Sequence, residues 1–93
     1  MTMNRDEVAA LVDGTYVKIL IPVSGEDGDC IEHHLPAGAI GITSNPRWLG
    51  GKQGWGIDLL IVVPGQLDSD GDPCTIVNTF DEGDDDAFQL EVI

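Results

Sequence analysis

Thr15-Tyr16-Val17-Lys18-Ile19-Leu20-Ile21-Pro22-Val23 is the stretch that decides the fold class. Val17, Ile19, Ile21 and Val23 fall on one side of an extended chain and Tyr16, Lys18 and Leu20 on the other, because successive side chains of a strand point to opposite faces. β-Branched residues dominate the run, and their stiff side chains suit a pleated, half-buried surface. The stretch therefore predicts a strand with a clear inner side.

Downstream, Ser24 to Asp29 reads as a turn, Cys30 to Leu35 as the return strand, and Ala39 to Ser44 as a third strand after the breaks at Pro36 and Gly38. Asn45 to Gly56 predicts a long glycine-rich loop, and the almost wholly apolar Ile57 to Val63 a central strand. Pro64 to Pro73 is turn or loop, Cys74 to Phe80 a fifth strand and Asp81 to Asp86 an acidic turn. In the last segment, Ala87 to Ile93, Phe88, Leu90 and Val92 alternate with Gln89 and Glu91 as a strand requires. Upstream, Asn4 is placed as an N-cap with Glu7 three residues on, and Met3 and Val8 stand where a hydrophobic staple puts its two residues. Gly14 supplies the stop, so a short helix over about residues 4 to 13 is expected, with Val8, Leu11 and Val12 on its apolar stripe. The 93 residues thus predict one domain, mainly β: a small antiparallel barrel or rolled sheet of about five to six strands with a short N-terminal helix.

A faint echo runs through the chain. Lys18 to Gly25 is similar to Asp58 to Gly65, and each is followed by an acidic Gly-Asp turn and then a cysteine. Either apolar strands and acidic turns coincide here by chance, or the two hairpins correspond and Cys30 and Cys74 hold equivalent packing positions.

Charge is distributed unevenly. Arg5, Lys18, Arg47 and Lys52 all lie in residues 1 to 52, where four cations against seven carboxylates leave −3. Gln53 to Ile93 hold ten carboxylates and no Lys or Arg, which brings the chain to −13. The apolar runs exclude a disordered acidic tail, and the longest of them, Leu59 to Pro64, is far short of the ~20 residues of a membrane helix. With no leader read at the start and only two cysteines, which read as reduced thiols, a cytoplasmic setting is expected.

No catalytic signature stands out, and no enzyme activity or cofactor is expected. Ser24, Ser44 and Ser69 lie in turns outside any nucleophile-elbow pattern, and no glycine-rich loop leads to Lys-Ser/Thr. Asp68, Asp70 and Asp72 alternate as calcium ligands do, but Gly71 precedes the third acid and Thr79 stands at position twelve, so a solvated turn is the reading and a Ca²⁺-binding module the minor alternative. Cys30, His33, His34 and Cys74 are the soft metal ligands, yet adjacent histidines on a strand face opposite ways and no metal site is expected. Arg47-Trp48-Leu49-Gly50-Gly51-Lys52-Gln53-Gly54-Trp55 pairs aromatics with cations as single-strand readers do, but the surrounding negative charge argues against direct nucleic-acid binding. Trp55 is expected to enter the core and Trp48 to fold over a barrel end, with a protein-binding lip as the functional alternative.

Leu35-Pro36-Ala37-Gly38-Ala39-Ile40-Gly41-Ile42-Thr43 resembles the Leu-Pro-x-Gly-x-x-Gly-x-Val/Ile pattern of small SH3-like barrels, and Gly14-Thr15-Tyr16-Val17 fits their opening strand. The resemblance covers about residues 14 to 63; it implies a barrel and no particular activity. In charge and size the chain is similar to phage and plasmid anti-restriction and anti-CRISPR proteins, which implies a nucleic-acid mimic. Carboxylates two apart on an extended strand stand ~6.6 Å from one another, of the same order as successive phosphates along one DNA strand, whose charges fall every ~3.4 Å of axis on a longer helical path. The expected function is a non-enzymatic acidic protein that docks on a basic, nucleic-acid-binding partner. The expected contact residues are Asp68, Asp70 and Asp72 in one turn and Asp81, Glu82, Asp84, Asp85 and Asp86 in the other. The alternative is an SH3-like adaptor that grips a protein through Trp48 and Trp55. No membrane contact is expected.

Overall fold

The computed structural model describes residues 3–93. A short helix, α1 (Arg5–Ala9), precedes β1 (Tyr16–Ile19), β2 (Val23–Glu26), β3 (Glu32–Leu35), β4 (Ile40–Trp48), β5 (Trp55–Leu67), β6 (Pro73–Asp81), a single 3₁₀ turn (Asp86–Phe88) and β7 (Leu90–Val92). Five strands form one antiparallel sheet in the order β6-β5-β4-β1-β7, and β2 and β3 form a separate hairpin. The chain is mainly β and antiparallel, as its patterning predicts, but the ladder is open. β6 and β7 are its two edges, so the sheet is not closed into a barrel.

The nine-residue strand read over Thr15 to Val23 is two strands. Pro22 has no N–H to give to a ladder, and after Ile19 the chain leaves the large sheet for the hairpin. The alternation survives the break: Val17, Ile19 and Val23 are buried while Tyr16 and Lys18 are exposed. Of Asn45 to Gly56, read as a loop, residues 49–54 are loop and the two flanks are strand, since Arg47 pairs with Gly56 and Trp48 with Trp55 beyond a bulge that begins after Ser44. Asn45 at φ 52 and the donor-free Pro46 form that bulge. β5 likewise runs on through Pro64 and Gly65 to Leu67, with its register broken after Val62. Ala87 and Phe88 are in the 3₁₀ turn, which shortens the last strand to three residues.

One face of the sheet carries the core. Ile57, Leu59, Ile61 and Val63 of β5 and Ile76 and Phe80 of β6 line it with Val17, Ile19 and Leu90. Full burial of each such aliphatic side chain contributes about 2 kcal/mol. α1, the 3₁₀ turn and the β2–β3 hairpin cover this face with Met3, Val8, Leu11, Ala87 and Val23. The helix starts as its sequence dictates. Glu7 N–H donates to Asn4 Oδ1 at 2.9 Å and Asn4 N–H to Glu7 Oε1 at 3.1 Å, a complete capping box. It ends earlier than Gly14 would allow, at the Ala10 cap, and leaves Val12 65% exposed instead of on the apolar stripe. Thr43, buried among aliphatic side chains, ties this segment to the sheet: its hydroxyl donates to Val12 O at 2.7 Å and accepts from Thr15 N at 3.0 Å.

Within Leu35 to Thr43, Gly38 turns the chain at φ +104, and Gly41 is buried against Ile19, Ile61 and Leu59. No helix among the described residues is long and apolar enough to cross a membrane.

Candidate functional site

The anionic segments occupy the two ends of the β5–β6 ladder. Leu67 pairs with Pro73 beside the Asp68–Asp72 turn, and Gly56 pairs with Asp81 at the start of the second acidic turn. The nine residues of β6 separate them by roughly 26 Å at about 3.3 Å per residue. Neither acidic run is an extended strand, so the ~6.6 Å spacing of alternate strand residues does not apply to it.

At the first end two turns of one design stand side by side. In Asp27-Gly28-Asp29-Cys30-Ile31, Asp27 Oδ1 accepts from Asp29 N at 2.8 Å and Ile31 N at 3.1 Å, while Asp27 N donates to Ile31 O and Cys30 N to Asp27 O. In Asp68-Ser69-Asp70-Gly71-Asp72, Asp68 Oδ1 accepts from Asp70 N and Asp72 N, both at 2.9 Å, and the two main-chain bonds recur. The fourth residue of each turn is left-handed, Cys30 at φ 62 and Gly71 at φ 84. The sequence echo is thus a correspondence of turns, and it aligns Cys30 with Gly71. Cys30 is exposed in its turn and Cys74 is buried in β6, so the two cysteines are not equivalent.

Between the turns lies an open groove of about 260 Å³ lined by Asp27, Asp29, Asp68 and Asp70, with Cys74 and Thr75 at its base. Asp27 anchors it. Its Oδ2 accepts from His33 Nε2 at 2.7 Å, and the Cys74 thiol lies 4.0 Å from the same oxygen. The hydrogen bond from His33 is the main cause holding the Asp27 carboxyl below the usual carboxylate range. Burial first, then the charges of Asp27, Asp68 and Asp29, push the Cys74 thiol up. A thiol so held favours its protonated, poorly nucleophilic form, and His33 faces the carboxylate instead of the sulfur. His33 and His34 point apart, with side chains 16% and 75% exposed. Among the described residues no group of three His, Cys, Asp or Glu is disposed to hold a metal ion. Asp27 and Asp29 escape a reading that follows charge density, because they lie in the less acidic half. The Asp-x-Asp spacing they share with Asp68 and Asp70 is the signal that would have found them.

At the second end most of the carboxylates are committed to the fold. Asp81 is buried and its Oδ1 accepts from Asp84 N at 2.8 Å, while Asp81 N donates to Asp86 Oδ1 at 2.8 Å. Burial raises the Asp86 carboxyl above its usual range, and the charges of Asp81 and Asp84 add to the effect of burial. Glu82 Oε1 accepts from Trp55 N at 2.9 Å and lies 3.4 Å from Arg5 Nε. Asp84 and Asp85 are the exposed pair.

The Trp48 and Trp55 rings close the β4–β5 hairpin at this same end. Their centroids are 6.0 Å apart at 76°, and Arg5 Cζ sits 5.7 Å from the Trp48 centroid. Trp55 packs against the core, and Trp48 is 51% exposed. Gly83 N donates to Gln53 O and Glu82 N to Trp55 O, so the aromatic hairpin and the acidic turn form one surface. Arg47 takes no part in it: it is drawn to Asp58 Oδ1 at 3.2 Å.

The fold and these ends define a small, mainly β protein with an open antiparallel sheet and two carboxylate-bearing poles. No family model matches the chain, and comparison with curated proteins and with solved structures finds no match.

Proposed function

We propose that this chain is a non-enzymatic acidic binding protein that docks on a basic, nucleic-acid-binding partner and fills the place of its nucleic acid, in the manner of anti-restriction and anti-CRISPR proteins. The observation that carries the reading is the pair of exposed carboxylates at each end of the β5–β6 ladder. Asp70 and Asp72 at one pole and Asp84 and Asp85 at the other face solvent; Arg47 is held by Asp58 on the sheet, and Arg5, against Glu82, and the exposed Lys52, whose carbonyl adjoins Gly83, are the cations at the second pole. Two anionic poles roughly 26 Å apart span about eight base pairs of duplex at ~3.4 Å each. A cytoplasmic setting with both thiols reduced belongs to this reading.

The test is recovery from a bacterial lysate at low and high salt, with the wild type and with Asp70, Asp72, Asp84 and Asp85 changed to Asn. These four carry no internal side-chain bond that the fold needs. A nucleic-acid enzyme retained at low salt, released by added DNA and lost by the fourfold variant supports mimicry. Recovery unaffected by DNA and by the variant overturns it.

The half-exposed Trp48, braced by Trp55 and Arg5, favours a second reading, an adaptor that grips a protein partner at the aromatic hairpin. Trp48→Ala then does more damage to binding than the fourfold Asn variant. The likeness to SH3-like barrels is part of the proposal as well, supported by the Gly38 turn that leads into β4. Slow amide exchange along the outer edge of β6, the mark of a further strand pairing, would carry it; fast exchange there leaves the open sheet alone.

A further inference from the structure

The two edges of the large sheet are unlike. β7 ends it with a strand of three residues, which offers little to pair with, whereas β6 runs nine residues from Pro73 to Asp81. In an antiparallel ladder a residue turns both main-chain groups toward its partner strand and the next residue turns both away. Glu82 N reaches Trp55 O at 3.0 Å, while Asp81 N turns the other way, to Asp86 Oδ1 at 2.8 Å. The register with β5 is unbroken from Asp81 back to Thr75, so Thr79, Val77 and Thr75 share the outward phase of Asp81. Asp81 finds its partner in the acidic turn; among the described residues no main-chain bond meets the N–H and C=O groups of the other three. The edge is accessible. Val77 is 61% exposed and Thr79 is exposed, and the β2–β3 hairpin meets β6 through core-face side chains, with Asn78 Nδ2 donating to Ser24 O at 3.0 Å and Gly25 lying against Ile76.

An edge of this length is normally blunted by a lysine, a bulge or a proline along it. On β6 the outward residues are the uncharged, β-branched Thr75, Val77 and Thr79, and its proline stands at the first position. Charge guards the two ends instead: the exposed Asp70 and Asp72 precede the strand and Asp84 and Asp85 follow it. None of these four is in an ion pair among the described residues. A second copy pairing along this edge would bring acids against acids and is repelled, whereas a strand with cations at its ends is drawn in.

We propose that β6 takes an extended segment of the basic partner as a sixth strand of the sheet, paired with the main chain of Thr75, Val77 and Thr79. Lys or Arg residues at the two ends of that segment meet Asp70 and Asp72 at one pole and Asp84 and Asp85 at the other. This mode of contact rests on the reading of a basic partner, and it adds main-chain bonds that charge alone does not make. At ~3.3 Å per residue, about eight residues of the partner span the edge.

The probe is a blocked peptide of about eight alternating Thr and Val residues with Lys-Lys at each end, added to the isotope-labelled whole chain and read by amide exchange and chemical shift. Exchange at the Thr75, Val77 and Thr79 amides is expected to be fast in the free chain and slowed by the peptide, with affinity falling between ~50 and ~500 mM salt. Alternate N–H groups of the peptide face β6, so N-methylation of one alternate set is expected to weaken binding about tenfold while methylation of the other set is tolerated. Val77→Pro, which removes an N–H turned to solvent and suits an edge strand, brings a similar loss. Should that variant unfold, the two methylated peptides decide the matter on the wild type. Equal binding by all three peptides overturns the proposal, and so does slow exchange at these amides in the free chain. The edge and the mimicry fail separately. A peptide held regardless of methylation loses the edge and leaves the basic partner standing, whereas a chain that takes the peptide yet retains no nucleic-acid enzyme from a lysate keeps the edge and loses the mimicry.

Discussion

Asp86 shows how one carboxylate can work against the fold it belongs to. Its Oδ1 is the acceptor for Asp81 N, yet burial and the neighbouring Asp81 and Asp84 charges hold its pKa above the ordinary 3.8. The sign follows from linkage. In a folded chain with a raised pKa, ionisation is harder than in the unfolded chain, so this group costs stability as pH rises through 3.8 and the folded value, and the cost persists at neutrality. Asp86→Asn keeps the amide oxygen as acceptor and removes the charge. The variant is expected to melt higher than the wild type at pH 7, and the difference is expected to vanish as pH falls below the ordinary carboxylate range. A thermal melt series across that range checks it; a gain that persisted in acid would assign the effect to packing. Asp27 works in the opposite sense, since its carboxyl is lowered chiefly by His33, and the stability it contributes is present above 3.8 and lost as pH falls through its folded value.

At the scale of the element, the paired turns are the informative feature, and Cys30 is where one of them is strained. A left-handed conformation costs a non-glycine residue about 1–2 kcal/mol, and glycine's extra freedom in the unfolded chain returns about 0.5–1 kcal/mol of that. Cys30→Gly, which copies Gly71 of the sister turn, is therefore expected to stabilise the protein by about 0.5–1 kcal/mol, read from the urea midpoint at unchanged slope. An unchanged or lower midpoint would mean that the Cys30 side chain contributes more than its strain costs. The turn chemistry was half legible. Gly and Asp density located both turns, but the residue that matches Gly71 is the one at the same hydrogen-bonded position, and that alignment needs the main-chain bonds. Alternation located the inner side of β1, because burial on one face imposes it directly, whereas the nearly continuous apolar run of β5 left its inner side to the geometry. Strand ends were less legible. Bulges at Asn45 and Pro64 let ladders run through residues whose local preference is loop, and the sheet's openness depends on edges that no local pattern encodes. Of the candidate site, the exposed acids Asp70, Asp72, Asp84 and Asp85 were visible as charge, whereas the inward roles of Asp81, Glu82 and Asp86 required the geometry.

For the whole molecule, the decisive quantity is how −13 is arranged on a body of 38 × 25 × 21 Å. The poles are separated by far more than the ~8 Å screening length at physiological ionic strength, so they hardly repel one another in salt. Within each pole the carboxylates lie inside that length, and repulsion there opposes the compact state. Stability is therefore expected to rise from low to moderate salt and then level off, because screening removes the repulsion within a pole and has little left to act on between poles. Asp70→Asn with Asp72→Asn, or Asp84→Asn with Asp85→Asn, is expected to raise the melting temperature at low salt by on the order of 5 °C. At moderate salt, where the screening length is far shorter than the distance between the poles, the two pairs together give the sum of the separate gains. Each gain shrinks as salt is added. Melting curves of the wild type, the two pairs and the fourfold variant at low and moderate salt measure all of this. A salt-independent wild type contradicts local crowding of charge, and gains from the two pairs that fail to add at moderate salt mean that the poles are coupled through the sheet instead of acting as separate sites.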